Sequence, residues 1–392
     1  MSNSIIALPY MRDKTLNKVK SSNIEILRII AMLMIIAHHY CVHGIFNYWH
    51  TNSTLTDYFN NVIVGIVAMG GKLGVDIFVL ITGYFMIISD CKFTKVVKLY
   101  LTTLLYSLLL LVIAYIYGEH HVPSRILNSS LFPFGGNAYW FITTYLMLYI
   151  FVPYLNKFIL TSKKTMLNSL MVVTTLLWVL IPTFTPASYC FSNLVWFIYL
   201  YFIGASIRLK SYASVFNNKQ FFKNLFIVSC IVLVVYAFVR CIGTDVNLWG
   251  VTKLARMQTI FIVSIAIYLF HYFKDLEIHY NKFINQIAVS VFGVYLLHDN
   301  NIVRPFLWRV IVQPCNYMDK PYMVLYLLAV VFIVFIFGIV IDKLVMSIAQ
   351  KYIDKIVDLL SHVNKFKRKA CYKFIIKSIH RLNRTRHIVY NK

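Results

Sequence analysis

Arg28 and His39 stand eleven residues apart in one apolar run, IEILRIIAMLMIIAHHYC. On a helix, at roughly 100° per residue, they fall within about 20° of each other and about 16 Å apart along the axis. Glu25 lies one turn before Arg28, at the spacing of an i,i+3 pair. One helix face therefore carries an acid, a guanidinium, a dry aliphatic stretch and an imidazole. A guanidinium fork suits phosphate oxygens. An imidazole titrates near working pH and suits a general base, or it can accept a group covalently as a nucleophile; the spacing leaves both routes open. The run at 23–43 approaches the about 20 apolar residues that a bilayer span needs, and ionisable groups at that depth face a protein interior or a wet cavity. Each residue also has a plainer reading. A single intramembrane histidine can simply bond a neighbouring carbonyl, and a boundary arginine can snorkel to water and set orientation. His38 points about 100° away from His39 and reads as packing or support; His43 is one turn beyond His39.

The same residues carry a resemblance. Arg28, ten intervening residues and His39 resemble the Arg-x10-His signature of the membrane-bound acyltransferase family 3, with Glu25 where those proteins usually show Asp. GVDIFVLITGYFM at 74–86 is similar to the family's second block, and VFGVYLLH at 291–298 to its late Tyr-Leu-x-His element. The three blocks keep the family's order and span most of the chain from 23 to 300. The resemblance implies an integral-membrane O-acyltransferase that takes an acyl group, acetyl above all, from acyl-CoA. It places His39, Asp76 and His298 in the catalytic site, with no metal. It places Arg28, and Lys95 and Lys98 in the position of an Arg-rich cluster, at coenzyme A. Trp140 and Tyr145 fall where the acceptor would bind. Some members carry Glu five residues after that Trp; Tyr145 stands there instead, which argues against a glutamate base and resembles the branch that decorates capsules and surface glycans. Simpler roles exist here too: Asp76 follows a glycine and could cap a helix, positive-inside charge accounts for Lys92, Lys95 and Lys98 almost as well, and aromatic belts account for Trp140 and Tyr145.

The elements that must position these residues are membrane helices. The chain of 392 residues is 59% hydrophobic and 16% aromatic but only 13% charged, with a mean hydropathy of +0.69. A soluble core of that apolarity would leave too little polar surface for water. The net charge of +24 is the usual mark of a nucleic-acid partner; here short positive-inside loops and anionic lipid explain it without one. The seven cysteines (Cys41, Cys91, Cys190, Cys230, Cys241, Cys315, Cys371) show no CxxC spacing and read as small core residues.

Charge asymmetry between loops yields an all-α, polytopic integral membrane protein of about ten transmembrane helices with both termini cytoplasmic. Residues 1–22 form a basic leader, 23–345 the transmembrane domain and 346–392 a basic cytoplasmic tail. The stretch 62–88, interrupted by Gly70, Gly71 and Gly74, is expected to begin spanning near Lys72 or to form a broken helix; either way Asp76 lies near the outer face. The loop 240–256 fits the positive-inside pattern poorly. The tenth span is expected over 322–341, followed by a partly amphipathic tail (Phe366, Tyr372, Phe374 and Ile375 among Lys and Arg) lying on anionic membrane lipid.

Together with these elements, the resemblance implies a bacterial cell-membrane enzyme that moves an acetyl group from cytoplasmic acetyl-CoA to a hydroxyl of an extracytoplasmic polysaccharide or its lipid-linked precursor, with His39 as base. The rival from another class is a transporter or flippase of acyl groups or lipid-linked sugars, which would favour two matching broken helices. A non-catalytic scaffold gives no reason for Arg28 and His39 on one face.

Overall fold

The computed structural model describes residues 22–49, 51–89, 92–118, 122–134, 138–185 and 192–389, with side chains through Ser361. The basic leader and the tail aromatics lie outside that set. Described residues form helices and no named strands: α1 (Ser22–Gly44), α2 (Leu55–Met86), α3 (Phe93–Tyr117), α4 (Ser124–Leu131), α5 (Trp140–Thr161), α6 (Lys164–Thr175), α7 (Ile181–Phe184), α8 (Asn193–Leu209), α9 (Lys219–Arg240), α10 (Leu248–Val251), α11 (Ile260–Asp275), α12 (Lys282–His298), α13 (Val303–Phe306) and α14 (Met323–Val389). Hydrocarbon offers no partner for a backbone amide, so apolar runs of this length satisfy themselves as helices.

Among the described residues, seven helical runs are long and apolar enough to cross a membrane: α1, α2, α3, α5, the combined run Lys164–Phe184, α9, and Met323–Ser361 of α14. α8, α11 and α12, with 17, 16 and 17 residues, are the remaining members of the bundle; α8 packs on α2, α11 on α2 and α9, and α12 on α1 and α14. α1 and α2 form the centre, α1 touching α2, α11, α12 and α14. The apolar window of α2 is 67% buried, against 22% for peripheral α9.

α2 departs from the sequence expectation. It runs unbroken for 32 residues, opened by a capping box in which Thr54 Oγ1 accepts from the Asp57 amide while Asp57 accepts from the Thr54 amide. The glycines are contact notches rather than breaks. A Cβ on Gly71 would sit 2.2 Å from the His38 ring, and one on Gly74 would sit 2.6 Å from the Ala31 carbonyl. Lower down, Gly83 and Gly204 bring α2 against α8, with a Cβ on either 2.4 Å from a carbonyl of the other helix. Small residues let membrane helices approach backbone to backbone. Asp76 consequently lies in the body of α2 and not near its outer start.

One further expectation changes. α14 does not stop near 341; the helix continues without interruption to Val389, so the backbone after 345 extends a spanning helix. At 1.5 Å per residue, its first 39 residues measure about 58 Å against a hydrocarbon core of about 30 Å. The segment after α3 folds back along it: Ser107 Oγ donates to the Ser130 carbonyl at 2.9 Å and Tyr100 stacks on Phe134 at 4.9 Å. Part of the connection between α3 and α5 thus lies against α3.

Hydrogen bonds sort the loops to two ends. At one end, Asn52 Nδ2 donates to the carbonyls of Cys241 and Gly243, Trp249 Nε1 to Asn47 Oδ1, and Asn60 Nδ2 to Met318 and Lys320. The loop 240–256 therefore sits beside 47–60, and its Arg256 donates to the Pro182 carbonyl. At the other end, Asn23 Nδ2 donates to Lys274 and Leu276, and Ser22 Oγ accepts from Asn281 and Asn285. Asn156 donates to Met86 there. The uncharged loop 47–60 and the loop with Arg240, Lys253 and Arg256 thus share one end. With native thiols blocked, a membrane-impermeant maleimide added to whole cells is expected to label Ser53→Cys and to reach Ser162→Cys only after permeabilisation; the reverse pattern would invert the orientation.

Candidate active site

α1 presents Arg28, Met32, Ile35, His39 and His43 to a cavity of about 480 Å³. These residues recur every three to four positions, the stripe that a helix turns toward one neighbour. α2 adds Lys72, Val75 and Thr82, α5 adds Trp140, Phe141 and Tyr145, and α12 adds Val291 and Tyr295. One end of the cavity is marked by Arg28 with Leu99 of α3, the other by Trp249, Asp299 and Arg304. The sequence-expected face is the observed one, and Arg28 forms its expected pair with Glu25 at 2.7 Å.

At the far end lies a histidine relay. His39 Nδ1 is 3.0 Å from His298 Nε2, and His298 Nδ1 is 2.6 Å from the Val294 carbonyl one turn back in α12. A carbonyl only accepts, so His298 Nδ1 carries a proton and, in the neutral ring, its Nε2 accepts. His39 Nδ1 then donates, which leaves the lone pair on His39 Nε2. The network thus selects the tautomer. Asp299, 1% exposed, stands 3.6 Å from His39 Nδ1. Arg304 holds it through Nε at 2.9 Å and a second nitrogen at 2.8 Å. A carboxylate so placed favours positive charge on the His39 ring.

His38, one position away, spends its Nδ1 on the Ala68 carbonyl of α2 at 2.5 Å. It still edges the cavity. The His43 ring centroid is 5.0 Å from that of His39. Ligand atoms of His39, His43 and Asp299 lie within 4.8 Å of one another, close enough for a cation. The Arg304 guanidinium on Asp299 opposes a second positive charge there.

Asp76 is fully buried and accepts from Trp196 Nε1 of α8 at 3.0 Å. Among the described residues no hydrogen bond joins it to His39 and it does not line the cavity; its bond joins α2 to α8. Lys98 pairs with Asp354 of α14 at 2.9 Å, and Lys95 is exposed; neither lines the cavity, although Leu99 between their turns and the core does. Trp140 and Tyr145 do line it, Trp140 beneath the Lys72 ammonium at 5.5 Å and Tyr145 accepting from Thr82 Oγ1 at 3.2 Å. Lys72, Asp299, Arg304 and Trp249 escaped the sequence reading. The one available signal was charge: a lone lysine inside the apolar run of α2, and an acid directly after His298.

The acyltransferase 3 family model, described as an acyltransferase domain, matches residues 21–343. No curated protein and no solved structure matches the chain. The chain belongs to the acyltransferase 3 family and is a multi-pass membrane acyltransferase.

Removing a general base costs about 10²–10⁴-fold in rate. His39→Ala is therefore expected to lose acyl transfer by that factor in membranes holding equal amounts of protein, and Asp299→Asn to lose a smaller part. His38→Ala should stay within about tenfold, since its bond serves α2. Equal losses at His38 and His39 would refute the assignment of the base.

Proposed function

We propose that this enzyme moves an acyl group, acetyl first of all, from cytoplasmic acyl-CoA to a hydroxyl of an extracytoplasmic surface polysaccharide or its lipid-linked precursor. The observation that carries the reading is one cavity reaching from Arg28 to the His39–His298 relay along a single face of α1. The nucleotide end of the coenzyme stays at Arg28, whose fork suits phosphate oxygens, with Lys95 or Lys98 adding positive charge at that boundary. The thioester arm threads about 16 Å up the face. His39 Nε2 takes the proton of the acceptor hydroxyl, and the freed oxygen attacks the thioester carbon. Trp140, under Lys72, holds the acceptor against this end, whereas Tyr145, bonded to Thr82 and within electrostatic reach of Arg28, lies toward the donor end. His298 fixes the His39 tautomer, and the Asp299–Arg304 pair balances the charge His39 gains. Attack by His39 itself as nucleophile uses the same lone pair. The rival transporter reading draws on broken helices lining the path, and α2 is continuous.

Two measurements test the reading. NMR of surface glycan from cells lacking the protein should show missing ester groups relative to the parent. Calorimetry of coenzyme A on the purified protein should show Arg28→Gln weakening binding by about 10- to 100-fold, the worth of hydrogen bonds to a charged group. Arg28→Lys, which keeps charge but loses the fork, should fall between. Unchanged affinity in Arg28→Gln would confine Arg28 to its Glu25 pair.

A further inference from the structure

Three cationic side chains line the cavity, Arg28, Lys72 and Arg304. Arg28 is paired with Glu25, and Arg304 is committed to Asp299 through side chain and carbonyl. Lys72 differs. Among the described residues no hydrogen bond or ion pair ties its ammonium, which rests over the Trp140 ring, 5.5 Å from the centroid. Asp76, one turn on, and Asp299 lie within electrostatic reach; Asp299 is held by Arg304, and Asp76 is held by Trp196 through one oxygen while the other is buried without a partner. The fold thus keeps a counter-charge near Lys72 without spending its three N–H donors. A lysine at membrane depth is costly and marks function unless it is paired. The aromatic face below it holds the cation by the ring quadrupole and leaves the donors facing the cavity.

A base alone does not complete acyl transfer. When the acceptor oxygen bonds to the thioester carbon, the carbonyl electron pair moves onto oxygen, and that negative charge needs a donor fixed beforehand. Trp249 is not available, since its N–H is bonded to Asn47. We propose that Lys72 is the oxyanion-binding residue of this enzyme, its ammonium receiving the acyl carbonyl oxygen while His39 takes the acceptor's proton. The inference rests on the acyl-CoA reading given above. The balance is complete within the cavity. The acceptor O–H proton passes to His39 Nε2, and the C–O bond forms as the oxyanion settles on Lys72. The C=O bond then re-forms, the C–S bond breaks, and the leaving thiolate takes the proton from His39. Lys72 keeps its proton throughout. Asp76 acts here as a positioning residue, fixed by Trp196 one turn from Lys72.

The test uses the full-length purified protein with acetyl-CoA as donor and, as acceptor, surface polysaccharide from the parental cells stripped of esters by mild base. Thiol release gives kcat and KM, and calorimetry gives coenzyme A affinity. Lys72→Met is expected to lower kcat by about 10²–10³-fold, the cost of removing one oxyanion donor, with coenzyme A affinity and both KM values within about twofold. Lys72→Gln, which restores a neutral donor, should recover part of the loss. A loss found wholly in KM for the polysaccharide would make Lys72 an acceptor-binding group and overturn the proposal. So would full turnover in Lys72→Met, or loss of coenzyme A binding in both variants, which would make Lys72 a structural ion. No thiol release by the unaltered protein would overturn the acyl-CoA reading and this proposal with it, whereas normal turnover there and unchanged turnover in the variants overturns this proposal alone.

Discussion

The backbone contact between α1 and α2 is what the rest of the molecule depends on. An arginine and three histidines cannot face hydrocarbon, so α1 must be wrapped by protein along its polar stripe while still leaving room for a cavity. Gly71 and Gly74 permit this by letting α2 lie directly on the His38 and Ala31 level of α1. The closeness brings the Ala68 carbonyl to His38 and turns Lys72 toward the same space as His39. α12 completes the enclosure from another side, delivering His298 to His39.

Within that enclosure the charges are arranged by commitment. Each fixed acid is held by a specific donor: Glu25 by Arg28, Asp76 by Trp196, Asp299 by Arg304. In a medium of low dielectric such pairs act strongly, and a group without one stands out. The two ends of the cavity consequently have different characters. One carries a partly buried ion pair, and the other a buried relay whose proton positions are dictated by a carbonyl.

How much of this could be read in the chain follows from where the information resides. Fold class is a property of composition, and the shared face of Arg28 and His39 is a property of one helix, so both are visible without a structure. The continuity of α2 is not, because a glycine that breaks a helix in water and one that notches a helix contact in lipid look alike in one sequence. Misplacing that helix start carried Asp76 to the outer layer and left Lys72 treated as a boundary. Asp299 gains its meaning only from standing 3.6 Å from His39, some 260 residues away in the chain, and Arg304 from its hold on Asp299. The length of α14 was hidden because a polar, basic stretch after an apolar one resembles a change of element, whereas the helix simply leaves the hydrocarbon and goes on.

α1 is also fastened at both ends. Ser22 and Asn23 are sewn to the turn before α12, and the Gly44 carbonyl accepts from Cys315 while Pro314 sits against the glycine itself. A rod pinned in this way cannot slide along its own axis. It therefore acts as a gauge, holding the guanidinium and the imidazole at one separation whatever occupies the space between them. Any adjustment to occupants of different size has to come from the side chains around that space, Trp140 and Trp249 among them, and not from movement of the helix that carries His39.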